Sequence, residues 1–148
     1  IFFMNAVYPL LLKSNSQKQR GQRKIFMLSF KFLLLSSVVL ATSIWVAAPL
    51  VTFIRPDFAE AKEPLRILLL GLPVFFVSAL CMWFLIARRQ QKALLGIHGI
   101  AMIGNILCNI VYIPRFGITA AAWITVLSEI FVLVFSARIV VEKLREEE

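Results

Sequence analysis

Long runs without a single formal charge dominate this chain of 148 residues. Phe32 to Ile54 is a run of 23 residues, Ile67 to Ala87 one of 21, and Ala93 to Pro114 one of 22. Each is close to the roughly 20 residues that an α-helix needs to cross about 30 Å of hydrocarbon at 1.5 Å per residue. A fourth run, Phe116 to Ala137, has similar length and is interrupted only by Glu129. One carboxylate at mid-helix costs about 2.5 to 3.5 kcal/mol, which the surrounding Ile, Val, Leu and Phe offset, so this run also reads as a span. The opening IFFMNAVYPLLL is apolar but too short to cross, and no basic segment precedes it as in a signal peptide. It reads as the end of a truncated helix, and the chain as the C-terminal piece of something longer.

The expected fold class is therefore all-α and integral to a membrane. Residues 1–148 form a single membrane unit, with helices at about 1–12 (truncated), 25–54, 64–87, 93–113 and 118–141. Composition agrees. Hydrophobic residues make up 60% of the chain and charged residues 16%, with a mean hydropathy of +0.86. Ordinary soluble domains hold roughly 45–50% and 25%, so too few polar residues remain to clothe a soluble exterior. No linker, low-complexity tract or internal repeat marks a second domain.

The net charge of +8 suggests nucleic acid only until the charges are placed. Lys13, Lys18, Arg20, Arg23 and Lys24 precede the first long run; Arg88, Arg89 and Lys92 sit in RRQQK; Arg138, Lys143 and Arg145 close the chain. These eleven share one side, against Arg55, Lys62, Arg66 and Arg115 on the other. Basic residues are retained on the cytoplasmic side during insertion. Loops 13–24 and 88–92 and the C-terminus are thus expected in the cytoplasm, and loops 55–66 and 114–117 outside it, in a multi-pass cytoplasmic (inner) membrane protein. KSNSQKQRGQRK could touch phosphates, but topology alone demands a basic loop there and it lacks the aromatics that stack bases. Membrane lipids are the expected surroundings, and nucleic acid is not an expected partner.

Nothing in the chain reads as an active site. No P-loop, dinucleotide-binding glycine pattern or nucleophile elbow occurs, so neither an enzyme nor a cofactor is expected. His98 has no Cys or His at metal spacing, which leaves interhelical hydrogen bonding as its reading and no metal site. Cys81 and Cys108 differ in depth by roughly 13 Å, too far for a disulfide. Pro64 suits a first helical turn, whereas Pro49 and Pro73 fall inside helices and point to bends, either fixed packing or hinges for transport.

Polar groups inside the spans are more informative, because hydrocarbon tolerates them only with a partner or a wet cavity. Asn105 and Asn109, four residues apart, share a helix face with Ala101. The tight turn at PRFG makes the helices before and after it antiparallel neighbours, and ITAAAWIT with Ser128 permits close approach. Asn105 and Glu129 then lie about one turn apart in depth, where a hydrogen bond between them is expected. Such bonds are structural glue; the functional alternative for Glu129 is a proton-binding site. Lys31, inside the second helix, either snorkels to the nearby surface or stands as a cation in an inner vestibule that attracts a diphosphate.

At the helix pair joined by IPRFG, the stretch GNILCNIVYIPRFGITAAAWITVLSE resembles the closing part of lipid-linked oligosaccharide flippases, the polysaccharide transporters related to multidrug and toxin extruders. Asn105, Asn109, Ile113, Pro114, Gly117, Ile118, Ala121, Ala122, Thr125, Ser128 and Glu129 stand where that pattern places them. YPLLLKS and IRPDFAEAKEPLRIL look like a cytoplasmic helix end and an outer loop of the same family. Ala120 replaces a common Gly, and Trp123 is bulkier than the usual aliphatic.

The resemblance implies the later helices of the second lobe of a two-lobe exporter, with the N-terminal lobe of the same chain as the missing partner. It implies the flipping of a polyprenyl-diphosphate-linked oligosaccharide for lipopolysaccharide, capsule or exopolysaccharide assembly, by a fragment not competent alone. Lys31, Asn105, Asn109 and Glu129 are the substrate-cavity candidates. The alternatives are a cation-coupled multidrug exporter of the same superfamily and a non-transporting membrane subunit that anchors polysaccharide enzymes.

Overall fold

The computed structural model describes residues 19–54 and 60–145. Three helices account for nearly all of them: α1 (Gln19–Ile54), α2 (Lys62–Ala87) and α3 (Gln91–Arg145). All three are long and apolar enough to cross a membrane. The expected helix at 1–12 and the first half of the loop at 13–24 lie outside the described residues, but residues 19–24 of that loop already belong to α1.

The helices expected at 93–113 and 118–141 follow one another with no intervening loop. One 55-residue element runs from Gln91 to Arg145, with Pro114 inside it and non-helical dihedrals at Gly117 (φ 65°, ψ −155°). Proline's fixed φ is itself helical, so Pro114 removes an amide donor without ending the helix. The break at Gly117 reverses the chain. Asn105 Nδ2 donates to Ser128 Oγ at 2.9 Å, although 23 residues of straight helix would span about 35 Å. The turn foreseen at PRFG is thus one residue wide, and it separates a first arm (91–116) from a second (118–145). Its dihedrals belong to a region open essentially to glycine alone.

α1 and α2 are antiparallel. Phe26 meets Phe84 edge to face at 5.2 Å, and Arg66 lies 5.1 Å from the Trp45 ring centroid near the opposite end. In the first half of α1 the buried residues Phe26, Ser29, Leu33 and Ser37 recur every three or four positions as one face of a helix requires. Hydroxyls in this apolar setting turn back on their own helix: Ser37 Oγ donates to Leu34 O at 2.8 Å and Thr42 Oγ1 to Val38 O at 2.8 Å.

α2 passes into α3 through Arg88, Arg89 and Gln90. Arg89 N donates to Ile86 O at 3.0 Å and Gln90 N to Leu85 O at 2.9 Å, the two bonds of a Schellman cap. The left-handed position that usually calls for glycine is taken by Arg89, at φ 58°.

The second arm of α3 runs parallel to α2. Ile67 clusters with Ala122, Gly71 faces Val126, and Leu85 and Val140 share a cluster, all at one sequence separation. The two stripes repeat by fours and threes, Ile67, Gly71, Val74, Ser78, Cys81, Leu85 against Ala122, Val126, Glu129, Leu133, Ser136, Val140. Such spacing keeps two parallel helices in contact over several turns. The main core lies at the end bearing Arg88, where Phe26, Leu33, Leu80, Cys81, Phe84, Leu85, Leu94 and Val140 meet. The first arm is peripheral: apart from Leu94 it holds no buried residue, and its outer face exposes Ile103, Leu107 and Ile110.

Candidate functional site

Asn105 lies half-buried in the middle of the first arm and Ser128 half-buried in the second. Their hydrogen bond is one link of a line, since Asn109 Nδ2 donates to Asn105 Oδ1 at 2.7 Å and also approaches Asn105 O at 2.9 Å. The four-residue spacing stacks the two amides on the face turned to the second arm. Thr125, one turn before Ser128, returns its hydroxyl to Ala121 O at 2.8 Å. Asn109 Oδ1 is buried and accepts no hydrogen bond among the described residues. The line therefore ends on an unused acceptor.

The expected bond between Asn105 and Glu129 is corrected: Asn105 pairs with Ser128. Successive helix residues are about 100° apart, so Glu129 points away from the hairpin and onto the stripe that faces α2. The register there places it level with Val74, between Val126 and Leu133. Half-buried, Glu129 has no hydrogen bond or ion pair among the described residues.

Lys31 is exposed, on the side of α1 turned away from the Phe26, Leu33 and Ser37 stripe. Lys24 is exposed two turns earlier on the same face, and neither ammonium has a partner among the described residues. Of the four candidates, the structure brings together only Asn105 and Asn109. Lys31 and Glu129 stand on different helices and different faces.

The chain has no match among protein-family models, curated proteins or solved structures. Residues 104–129 lie in the helical hairpin of α3.

The remaining candidates are simpler. His98 does not bond between helices as expected; its Nδ1 lies 3.0 Å from Leu94 O, four residues back on its own helix. That carbonyl is the nearest acceptor for an imidazole exposed on the peripheral first arm. Cys81 is buried, Cys108 is exposed, and both are free. Among the described residues no three His, Cys, Asp or Glu side chains gather as metal ligands would.

Two concave regions flank the second arm. A crevice of about 270 Å³ opens between the arms, lined by Gly104, Cys108, Leu127, Ser128, Phe131 and neighbours. A second, open cavity of about 580 Å³ lies at the charged end, bounded by Arg138, Val141, Glu142 and Arg145. Charge periodicity could have located the second, because Arg138 and Arg145 are seven residues apart. The first depends on the hairpin and leaves no signal in local sequence.

Proposed function

We propose that this chain is part of a translocator that moves a polyprenyl-diphosphate-linked oligosaccharide across a membrane for surface polysaccharide assembly. Lys31 is the observation that carries the proposal. An ammonium set two turns beyond Lys24 on an exposed face of an apolar helix is expensive against lipid unless it reaches water or an anion. A wet cavity between this unit and a second lobe provides the water, and a diphosphate provides the anion. The resemblance of residues 104–129 to lipid-linked oligosaccharide flippases supplies the cargo.

In this reading the two arms of α3 cross the membrane separately, giving four crossings among the described residues. Each arm, at about 40 Å, exceeds the hydrocarbon thickness. The basic end is cytoplasmic by the Lys and Arg count. Asn105, Asn109 and Ser128 hold the hairpin closed, while Lys24 and Lys31 line the entrance for the phosphates.

The test is removal of the protein from its host, followed by analysis of the lipid-linked glycans. Accumulation of full-length oligosaccharide on its carrier, with loss of surface polysaccharide, is the expected result. Drug hypersensitivity without that accumulation would point instead to a cation-coupled exporter. Co-purification with a glycosyltransferase, together with tolerance of Lys31→Ala, would point to a non-transporting subunit.

A further inference from the structure

Tyr112 and Trp123 stand exposed on the two arms of α3, and Trp45 stands exposed on α1 with Arg66 over its ring. All three share one depth. Asn105 lies opposite Ser128, which in an antiparallel hairpin puts Tyr112 opposite Ala121. The seam that pairs Ile67 with Ala122 puts Ala121 level with Arg66, and Arg66 reaches the Trp45 ring at 5.1 Å. Trp123 is two positions past Ala121, about 3 Å towards the basic end. The chain holds three Trp and two Tyr, so three of these at one depth, on three helical segments, is a concentration. Trp and Tyr gather where hydrocarbon meets headgroups. The level fits such a boundary: the uncharged run between Arg66 and Arg88 is 21 residues. That is about 32 Å of helix, against about 30 Å of hydrocarbon.

Beyond this level the hairpin continues for about one turn to its reversal at Gly117. Here the tip is apolar where α2 is charged, since Phe116 and Ile118 stand level with Lys62 and Glu63. Phe116 is 65% exposed and Ile118 56%, and a Cβ at Gly117 would meet nothing within 4 Å. Tyr112 stacks on Phe116 at 6.2 Å, which extends the apolar surface rather than covering it. The tip thus has no protein cover among the described residues. Arg115 is its only charge, and the long stem lets the guanidinium reach polar surroundings from an apolar surface. Contiguous exposed apolar surface of this kind marks a membrane or protein contact.

We infer that the tip of the hairpin, Tyr112 to Ile118, is a lipid-contact surface lodged in the headgroup and carbonyl layer of the leaflet opposite the basic end, with Trp45 and Trp123 marking the hydrocarbon boundary beside it. Shared depth selects lipid as the occupant. A planar layer acts on every helix at one height, whereas a protein partner needs neighbours on one side and no common height. The contact also accounts for how the first arm is held. That arm buries only Leu94, near the basic end, and bonds to the second arm at Asn105, so its far end has the layer alone to fix its depth. The inference rests on both arms crossing the membrane, as proposed above, and not on the cargo.

The test is tryptophan fluorescence of the whole protein in phosphatidylcholine vesicles whose acyl chains carry bromine either near the carbonyl or near the chain end. Phe116→Trp and Ile118→Trp, each the sole Trp with all others changed to Phe, report on the tip. Ile103→Trp, exposed in the middle of the first arm, reports on the span, and Glu60→Trp on the aqueous connection. Both tip reporters should lose more fluorescence to bromine near the carbonyl than to bromine at the chain end, and far less to aqueous iodide than Glu60→Trp does. Trp45 and Trp123, each kept as the sole native Trp, should follow the same order of the two bromines, and Ile103→Trp the reverse order. Tip reporters quenched by iodide as strongly as Glu60→Trp, while lipid quenches Ile103→Trp, would put the tip in water and overturn the inference alone. Tip reporters shielded from iodide and from both bromines would mean that protein covers the tip, which overturns it equally. An Ile103→Trp reporter that neither bromine reaches would overturn the crossing of the arms, and the inference with it.

Discussion

Gly71 of α2 and Val126 of α3 approach so closely that a Cβ at position 71 would lie 2.7 Å from Val126 Cγ2. Between lipid-embedded helices, where apolar burial gives little drive, such close backbone approach is what packing energy depends on. Gly71→Ala should therefore destabilise the unit by about 1 to 3 kcal/mol through overpacking. Val126→Ala in the same chain should restore most of that loss. Unfolding titrations in mixed micelles of both single variants and the double variant read the coupling directly; purely additive effects would contradict the contact.

Gly117 carries the reversal of α3 at φ 65° and ψ −155°. A Cβ there meets no neighbour, so any penalty is conformational. Gly117→Ala should cost about 1 to 3 kcal/mol. Gly104→Ala, also in open space but helical, should be neutral or slightly stabilising in the same titration.

Arg89 occupies the left-handed position of the cap that ends α2. Glycine there relieves a strain of about 1 to 2 kcal/mol, less the greater freedom it gives the unfolded chain. Arg89→Gly should thus raise stability by up to about 1 kcal/mol, seen as a later unfolding midpoint.

The hydrogen bond from Asn105 to Ser128 should show a coupling of about 0.5 to 1.5 kcal/mol in a double-mutant cycle with Asn105→Ala and Ser128→Ala. The cycle of Asn105→Ala with Glu129→Gln should show none, because Glu129 faces α2. Coupling to Glu129 instead of Ser128 would reverse the assignment.

The structure follows the charge-free runs closely, because a polar backbone in hydrocarbon has to be helical. The close packing of Asn105's face against the second arm was also legible, since a tight turn after Pro114 leaves consecutive helices few ways to pack. The choice of Ser128 over Glu129 was not: the two differ by one residue, and only the rotation of the second arm decides which faces the hairpin. The parallel seam of α2 with the second arm was hidden for a different reason. It joins segments far apart in sequence, and its fours-and-threes spacing stands out only once the partner stripe is known. The cap at Arg89 was missed because the residue expected at that position is glycine.

The most direct test of the central claim is translocation itself, measured with the full native polypeptide in proteoliposomes carrying a labelled polyprenyl-diphosphate oligosaccharide on the inner leaflet. Protein-dependent exposure of the glycan to an external glycosidase, at least several-fold above protein-free vesicles and reduced by Lys31→Ala, is the predicted result. A folded, correctly inserted protein that leaves the glycan protected would contradict the account.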